Sequence, residues 1–187
     1  MNMPIIETGF PGLLIVEPRV FSDSRGYFFE SYNEQSFAAS GITHRFVQDN
    51  QASSAYGVIR GLHYQLNPQA QTKLIRVLSG SILDVVVDIR KGSPTYGKVY
   101  TLKLTAENKQ QLLIPQGFAH GYSVLSEQAE VFYKCDQFYH QPSEGGIRYN
   151  DPALNIDWMI PADKAIISEK DLCYPDLEQA VNNFTFE

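Results

Sequence analysis

Ile82-Leu83-Asp84-Val85-Val86-Val87-Asp88-Ile89 is nearly unbroken apolar sequence, bounded by Ser79-Gly80 before it and Lys91-Gly92-Ser93-Pro94 after it. A short β-branched run between turn signals reads as a strand covered on both faces. Its two aspartates are then buried, and each needs a partner. Further along, Val99 to Thr105 alternates, with Tyr100, Leu102 and Leu104 on one face and Thr101, Lys103 and Thr105 on the other. That strand has one wet side. Leu13 to Glu17, Tyr27 to Ser31, Lys73 to Leu78, Gln111 to Ile114, Tyr122 to Leu125 and Glu130 to Tyr139 read as further strands. Pro115-Gln116-Gly117 and Ser143-Glu144-Gly145-Gly146 supply further breaks. Helices are few: one from about Asn33 to Ser40, stopped by Gly41, and others after Ser168 and Pro175. With no long helical periods to cover a parallel sheet, the pattern predicts an antiparallel all-β sandwich or barrel.

The chain has 187 residues, 43% of them hydrophobic and 19% charged, which suits one globular domain with a sizeable core. No stretch approaches the roughly 20 apolar residues of a membrane span. The opening Met1-Asn2-Met3-Pro4 lacks the basic-then-apolar pattern of a secretory leader, and a cytoplasmic protein is expected. Cys135 and Cys173 are too few for a disulfide scaffold and fit reduced thiols. A net charge of −6 disfavours nucleic acid as a partner, although a few clustered cations still suffice for a diphosphate.

GxGxxG, P-loop, GxSxG and HExxH motifs are all missing. Of the four histidines, His44 and His140 read as solvated surface. His63 lies in Arg60-Gly61-Leu62-His63-Tyr64-Gln65, where alternation puts His63 and Gln65 on one face and Leu62 and Tyr64 on the other. Local sequence leaves a working histidine and a hydrogen-bonded structural one both open. A metal-binding barrel often offers His-x-His on one strand face; here Gln65 stands two residues after His63, and no metal is expected. Period two places Tyr133 and Tyr139 on one face of the Glu130 run, while Asp171 has a ready structural explanation as the acidic end of a capping box opened by Ser168.

Taken in order, several stretches closely resemble the dTDP-4-dehydrorhamnose 3,5-epimerase family. They are Asp23 to Glu30, Gln48-Asp49-Asn50, Arg60 to Gln65, Asp84 to Arg90, Ser93 to Gly97, Ile114 to Gly121, Tyr133-Lys134, Asn150-Asp151-Pro152 and Ser168 to Asp171. The resemblance implies a cupin-type double-stranded jelly-roll barrel with a few short peripheral helices. It also implies a homodimer in which an N-terminal segment extends the partner's sheet, and no cofactor. The implied substrate is a dTDP-linked 4-keto-6-deoxy sugar. By the same resemblance His63 matches the base, Asp171 its carboxylate, Tyr133 the opposing acid and Lys73 the cation near the enolate oxygen. Arg25, Arg60 and His120 match nucleotide or sugar contacts; Glu30, Gln48, Asn50, Glu144 and Lys170 match further polar contacts. Tyr139 matches the ring that stacks on thymine.

Two points stand apart from the family pattern. Strict alternation puts Arg60 and His63 on opposite faces, which requires a bulge or another direction of approach for Arg60. Position 52 is Ala where many members carry Ser. The expected reaction is inversion at C3 and C5; epimerisation of one carbon only, or a non-catalytic sugar-nucleotide-binding barrel, are the competing functions.

Overall fold

The computed structural model describes residues 3–186; Met1 and Asn2, on which part of the leader reading falls, and Glu187 lie outside them. Strands β1 (Ile5–Glu7) and β2 (Leu14–Val16) come first, then the hairpin β3 (Phe21–Asp23) and β4 (Gly26–Phe28). Helix α1 (Glu34–Ala39) leads to β5 (Gln48–Ala55), β6 (Val58–Gln65), β7 (Lys73–Ser79), β8 (Ser81–Asp88) and β9 (Val99–Thr105). After these come β10 (Gln111–Ile114), β11 (Phe118–Val124), β12 (Gln128–Cys135), β13 (Glu144–Gly146), β14 (Ile166–Ile167) and α2 (Glu169–Leu172). One six-stranded sheet runs β1-β2-β10-β7-β12-β5; the other runs β13-β6-β11-β8-β9, with β14 parallel to β6. The two face each other as a cupin-type jelly-roll barrel.

Apolar side chains from both sheets meet between them, including Ile75, Val77, Ile82, Val86, Leu104, Leu112 and Val131. The outer face of the second sheet buries Leu62, Leu83, Val85 and Val87 under Ile147, Leu154, Trp158 and Phe184 from the C-terminal third. β8 is therefore covered on both faces, as its sequence requires. Its aspartates have found partners. Asp84 lies 2.9 Å from His120, and Asp88 accepts from Ser93 and Thr95 at 2.6 Å each while pairing with Arg90 at 2.7 Å. On the first sheet's outer face, α1 docks Phe37 beside Leu74 and Leu113. Asn33 caps that helix by accepting from the Gln35 and Ser36 amides, and Gly41 beyond it takes φ +86°.

Four expectations need correction. The strand expected over Tyr27 to Ser31 covers only Gly26–Phe28, because among the described residues β4 pairs with nothing but β3. The run Glu130 to Tyr139 leaves the sheet after Cys135, where Asp136 turns to accept from the Thr72 amide at 2.6 Å and to pair with His44 at 3.4 Å. Among the described residues no helix follows Pro175. Its carbonyl is held by the Arg148 amide, and Asp176 is drawn to Arg148 at 2.7 Å, so the chain makes one turn near Leu177 and moves on. Gly145 and Gly146, expected in a turn, pair with Tyr64 and His63 as part of β13.

Candidate active site

A cavity of about 320 Å3 opens between the sheets, lined by Gln48, Asn50, His63, Lys73, Tyr133 and Tyr139 among others. It continues into a smaller space of about 140 Å3 reached by Ala52, Arg60, His120 and Tyr122 as well as by His63, Lys73 and Tyr133. β5 contributes every second residue to this wall: Gln48, Asn50 and Ala52 line it, and Ser54 below them accepts from Arg60 Nε at 3.2 Å. The polar face expected from alternation in β6 is the cavity face.

The register between β6 and β11 shows how Arg60 and His63 share that cavity. His63 pairs with His120, but Arg60 pairs with Tyr122, so three steps on β6 match two on β11. This is a β-bulge with the extra residue on β6, and it turns both side chains inward. Gly61 makes it possible: φ is +134°, and a Cβ there would stand 2.5 Å from Gly121 Cα.

His63 Nε2 lies 2.8 Å from Asp171 Oδ1, the oxygen to which it donates, which leaves the lone pair of the neutral ring on Nδ1. Asp171 is 3% exposed; its Oδ2 accepts from the Gly61 amide at 3.0 Å. Burial alone would raise its pKa, but the hydrogen bonds from His63 and Gly61 outweigh it and hold the carboxyl below its ordinary value. Ser168 caps the helix as expected, its Oγ accepting from the Asp171 amide at 3.1 Å, but the Asp171 carboxylate is spent on His63 and Gly61 and not on closing a capping box. The cap at Ser168 thus fixes the backbone of the residue that holds the imidazole.

Tyr133 is half-buried, and burial pushes its phenol up to about 12, so it is protonated throughout the neutral range. Lys73 makes none of the ion pairs recorded among the described residues, and burial pushes its pKa down. Burial also lowers His120, against the pull of Asp84. Asp84 Oδ1 is buried without a hydrogen-bond partner. Asp84 and Ser54 join the site without having been expected there; Asp84 shares its strand face with Ile82 and Val86, which marks it as pointing between the sheets.

Tyr139 reaches the cleft rim from the loop after β12 rather than from the strand. Its amide donates to Gln48 Oε1 at 2.9 Å and its hydroxyl to Glu144 Oε2 at 3.1 Å. Lys170 completes the rim by pairing with Glu144 at 2.6 Å. Arg25 and Glu30 do not line the cleft with His63. Arg25 sits on the β3–β4 hairpin, paired with Asp23 at 2.6 Å, and Glu30 accepts from Asn33 at 3.0 Å. Among the described residues, no group of three or more His, Cys, Asp and Glu side chains is arranged to hold a metal ion.

The sequence profile of the family described as dTDP-4-dehydrorhamnose 3,5-epimerase matches residues 7–179. The chain belongs to the dTDP-4-dehydrorhamnose 3,5-epimerase family. It is 52% identical over 171 residues to the Shigella flexneri protein of that name, covering 91% of this chain and 93% of the relative. The crystal structure of the Elizabethkingia anophelis dTDP-4-dehydrorhamnose 3,5-epimerase superposes with a TM-score of 0.91 at 49% identity, over 95% of this chain and 98% of that one. The dTDP-6-deoxy-D-glucose-3,5-epimerase of Legionella pneumophila, solved with dTDP-4-keto-L-rhamnose, gives 0.90 at 47% identity, over 95% and 94%. Among members of the 3,5-epimerase family, then, the fold of this chain has close counterparts over nearly its whole length.

Proposed function

We propose that the protein inverts C3 and C5 of dTDP-4-dehydro-6-deoxy-D-glucose to give dTDP-4-dehydro-L-rhamnose, a step of dTDP-L-rhamnose biosynthesis. One observation carries the reading: an imidazole held by a buried carboxylate, a protonated phenol and an unpaired lysine share one cleft. The C4 ketone acidifies the hydrogens on C3 and C5, because the electron pair left behind delocalises onto oxygen as an enolate. His63 Nδ1 takes the proton and Asp171 stabilises the imidazolium that results. Lys73 stabilises the enolate oxygen, where a dry setting strengthens the attraction. Tyr133 then donates its proton from the opposite face, and both side chains exchange protons with water to reset. The ketone is itself the electron sink, so the chemistry calls for no metal or organic cofactor. Arg60 and His120 hold the sugar-phosphate end, Gln48, Asn50, Glu144 and Lys170 add polar contacts, and Tyr139 stacks on thymine.

The working unit on this reading is a homodimer of single-domain chains. Arg25, with its planar fork suited to phosphate, and Glu30 lie away from their own cleft. β5 is an edge strand, and Gln48 and Asn50 on it already line the cavity. A partner's N-terminal segment added along that edge brings Arg25 and Glu30 beside them. The free thiols Cys135 and Cys173 fit a cytoplasmic location.

Incubation with dTDP-4-keto-6-deoxy-glucose in heavy water, followed by NMR, tests the assignment. Deuterium is expected at both C3 and C5. His63→Ala should abolish exchange, whereas Tyr133→Phe should retain exchange and block inversion. Label at one carbon only would make the protein a mono-epimerase, and no label at all would defeat the enzymatic reading.

A further inference from the structure

We propose that Tyr174 is a positioning residue for the His63 imidazole, holding the ring on a side that Asp171 does not reach. The inference rests on His63 acting as the base. Asp171 lies in α2 and Tyr174 two residues beyond its end, so one short segment delivers both groups to β6. The two rings meet edge to face, with centroids 5.7 Å apart and planes at 64°. Gly146 stands directly opposite His63 in the β13–β6 pairing. A Cβ at Gly146 would lie 2.5 Å from Tyr174 Cε2, so the tyrosine ring fills the space that any other residue at 146 would need. Gly145 next to it is equally crowded, by Tyr64 at 2.5 Å, but that ring packs against Phe184 and not against the base.

A single hydrogen bond from Nε2 to a carboxylate fixes where one corner of an imidazole sits but lets the ring tilt about that bond. The Tyr174 ring removes this freedom. Among the described residues its hydroxyl is buried without a hydrogen-bond partner of good geometry, with the Lys170 ammonium close enough to act on it, so packing is the main constraint on the ring. Proton abstraction from carbon is sensitive to such tilt, because the lone pair must point along the C–H bond; a misplacement of about 1 Å costs on the order of 10²-fold in rate.

The experiment compares Tyr174→Phe, Tyr174→Leu and Gly146→Ala in deuterium exchange, steady-state turnover, dTDP binding and thermal unfolding. Tyr174→Phe keeps the ring and should stay within about threefold of the parent kcat. Tyr174→Leu should lower kcat and exchange by about tenfold to a hundredfold, with KM and the Kd for dTDP changed by less than about twofold. Gly146→Ala pushes the ring aside from the other direction, should show the same selective loss, and stands in if the leucine variant folds poorly. Parental kcat in Tyr174→Leu overturns the proposal. So does a loss in which dTDP affinity and Tm fall together with kcat, or a Tyr174→Phe variant as impaired as the leucine one. His63→Ala measured alongside separates the two levels: exchange surviving in His63→Ala defeats the base assignment, whereas an inactive His63→Ala beside an active Tyr174→Leu defeats only the role of Tyr174.

Discussion

Asp171 illustrates how much one side chain is asked to do. Its carboxylate is almost wholly buried, which by itself favours the neutral acid, and it stays ionised because an imidazole and a backbone amide donate to it. A carboxyl whose folded pKa lies below its unfolded one stabilises the protein above the unfolded value, and that contribution disappears as pH falls through the folded value. In urea unfolding, the parent should therefore exceed Asp171→Asn by a constant margin near neutrality. The margin should shrink once pH drops below about 4, the ordinary range of an aspartate. A margin unchanged down to pH 3 would show that the charge of Asp171 is not what the fold uses. In turnover, Asp171→Asn should slow exchange at both carbons, since the imidazolium loses its counter-charge while the amide can still bond to the ring.

At the scale of elements, the bulge in β6 is what brings into one cavity wall residues that an ideal strand would separate. Gly61 occupies a φ of +134° with the Gly121 backbone against it. Gly61→Ala should destabilise the protein by about 1–3 kcal/mol and reduce activity further than the stability loss explains, because Arg60 and His63 would no longer share a face. Chemical denaturation beside kcat/KM checks this; full activity at reduced stability would show that the bulge serves packing alone. A bulge was one of two readings the sequence left open, once the family resemblance set Arg60 and His63 in one site against strict alternation; the β6–β11 register chooses it. β8 was legible too, because an apolar run with turns at both ends has one strand reading, and so were α1, read from about Asn33 to Ser40, and the exact span of β9. Tyr139 and the stretch after Pro175 were not. Strand period carries through Cys135 to Tyr139, and only the tertiary pull of Thr72 and His44 on Asp136 ends it. A proline followed by acidic residues predicts a helix start, and only Arg148, distant in sequence, removes it. The site residues were named by resemblance; period alone could place His63 on a polar face but could not say that Asp171, 108 residues later, would meet it.

For the whole molecule, the open question in the chain's own geometry is the hairpin. Among the described residues β3 and β4 pair only with each other, and they expose Tyr27 at 59% and Phe28 at 72%, an apolar surface of the kind that marks a contact site. If this arm serves a neighbouring copy, Arg25→Ala and His63→Ala chains, each inactive as homodimers, should recover activity when denatured and refolded together. Random pairing gives half mixed dimers with one complete site each, so about a quarter of parental activity is expected. Recovery to background only would place Arg25 on its own chain's cleft. That arrangement also ties turnover to abundance. A chain that lends its arm and borrows another's is a catalyst only in company, so specific activity should fall on dilution past the point where copies part, and a cell making too little of it would lose the reaction faster than it loses the protein.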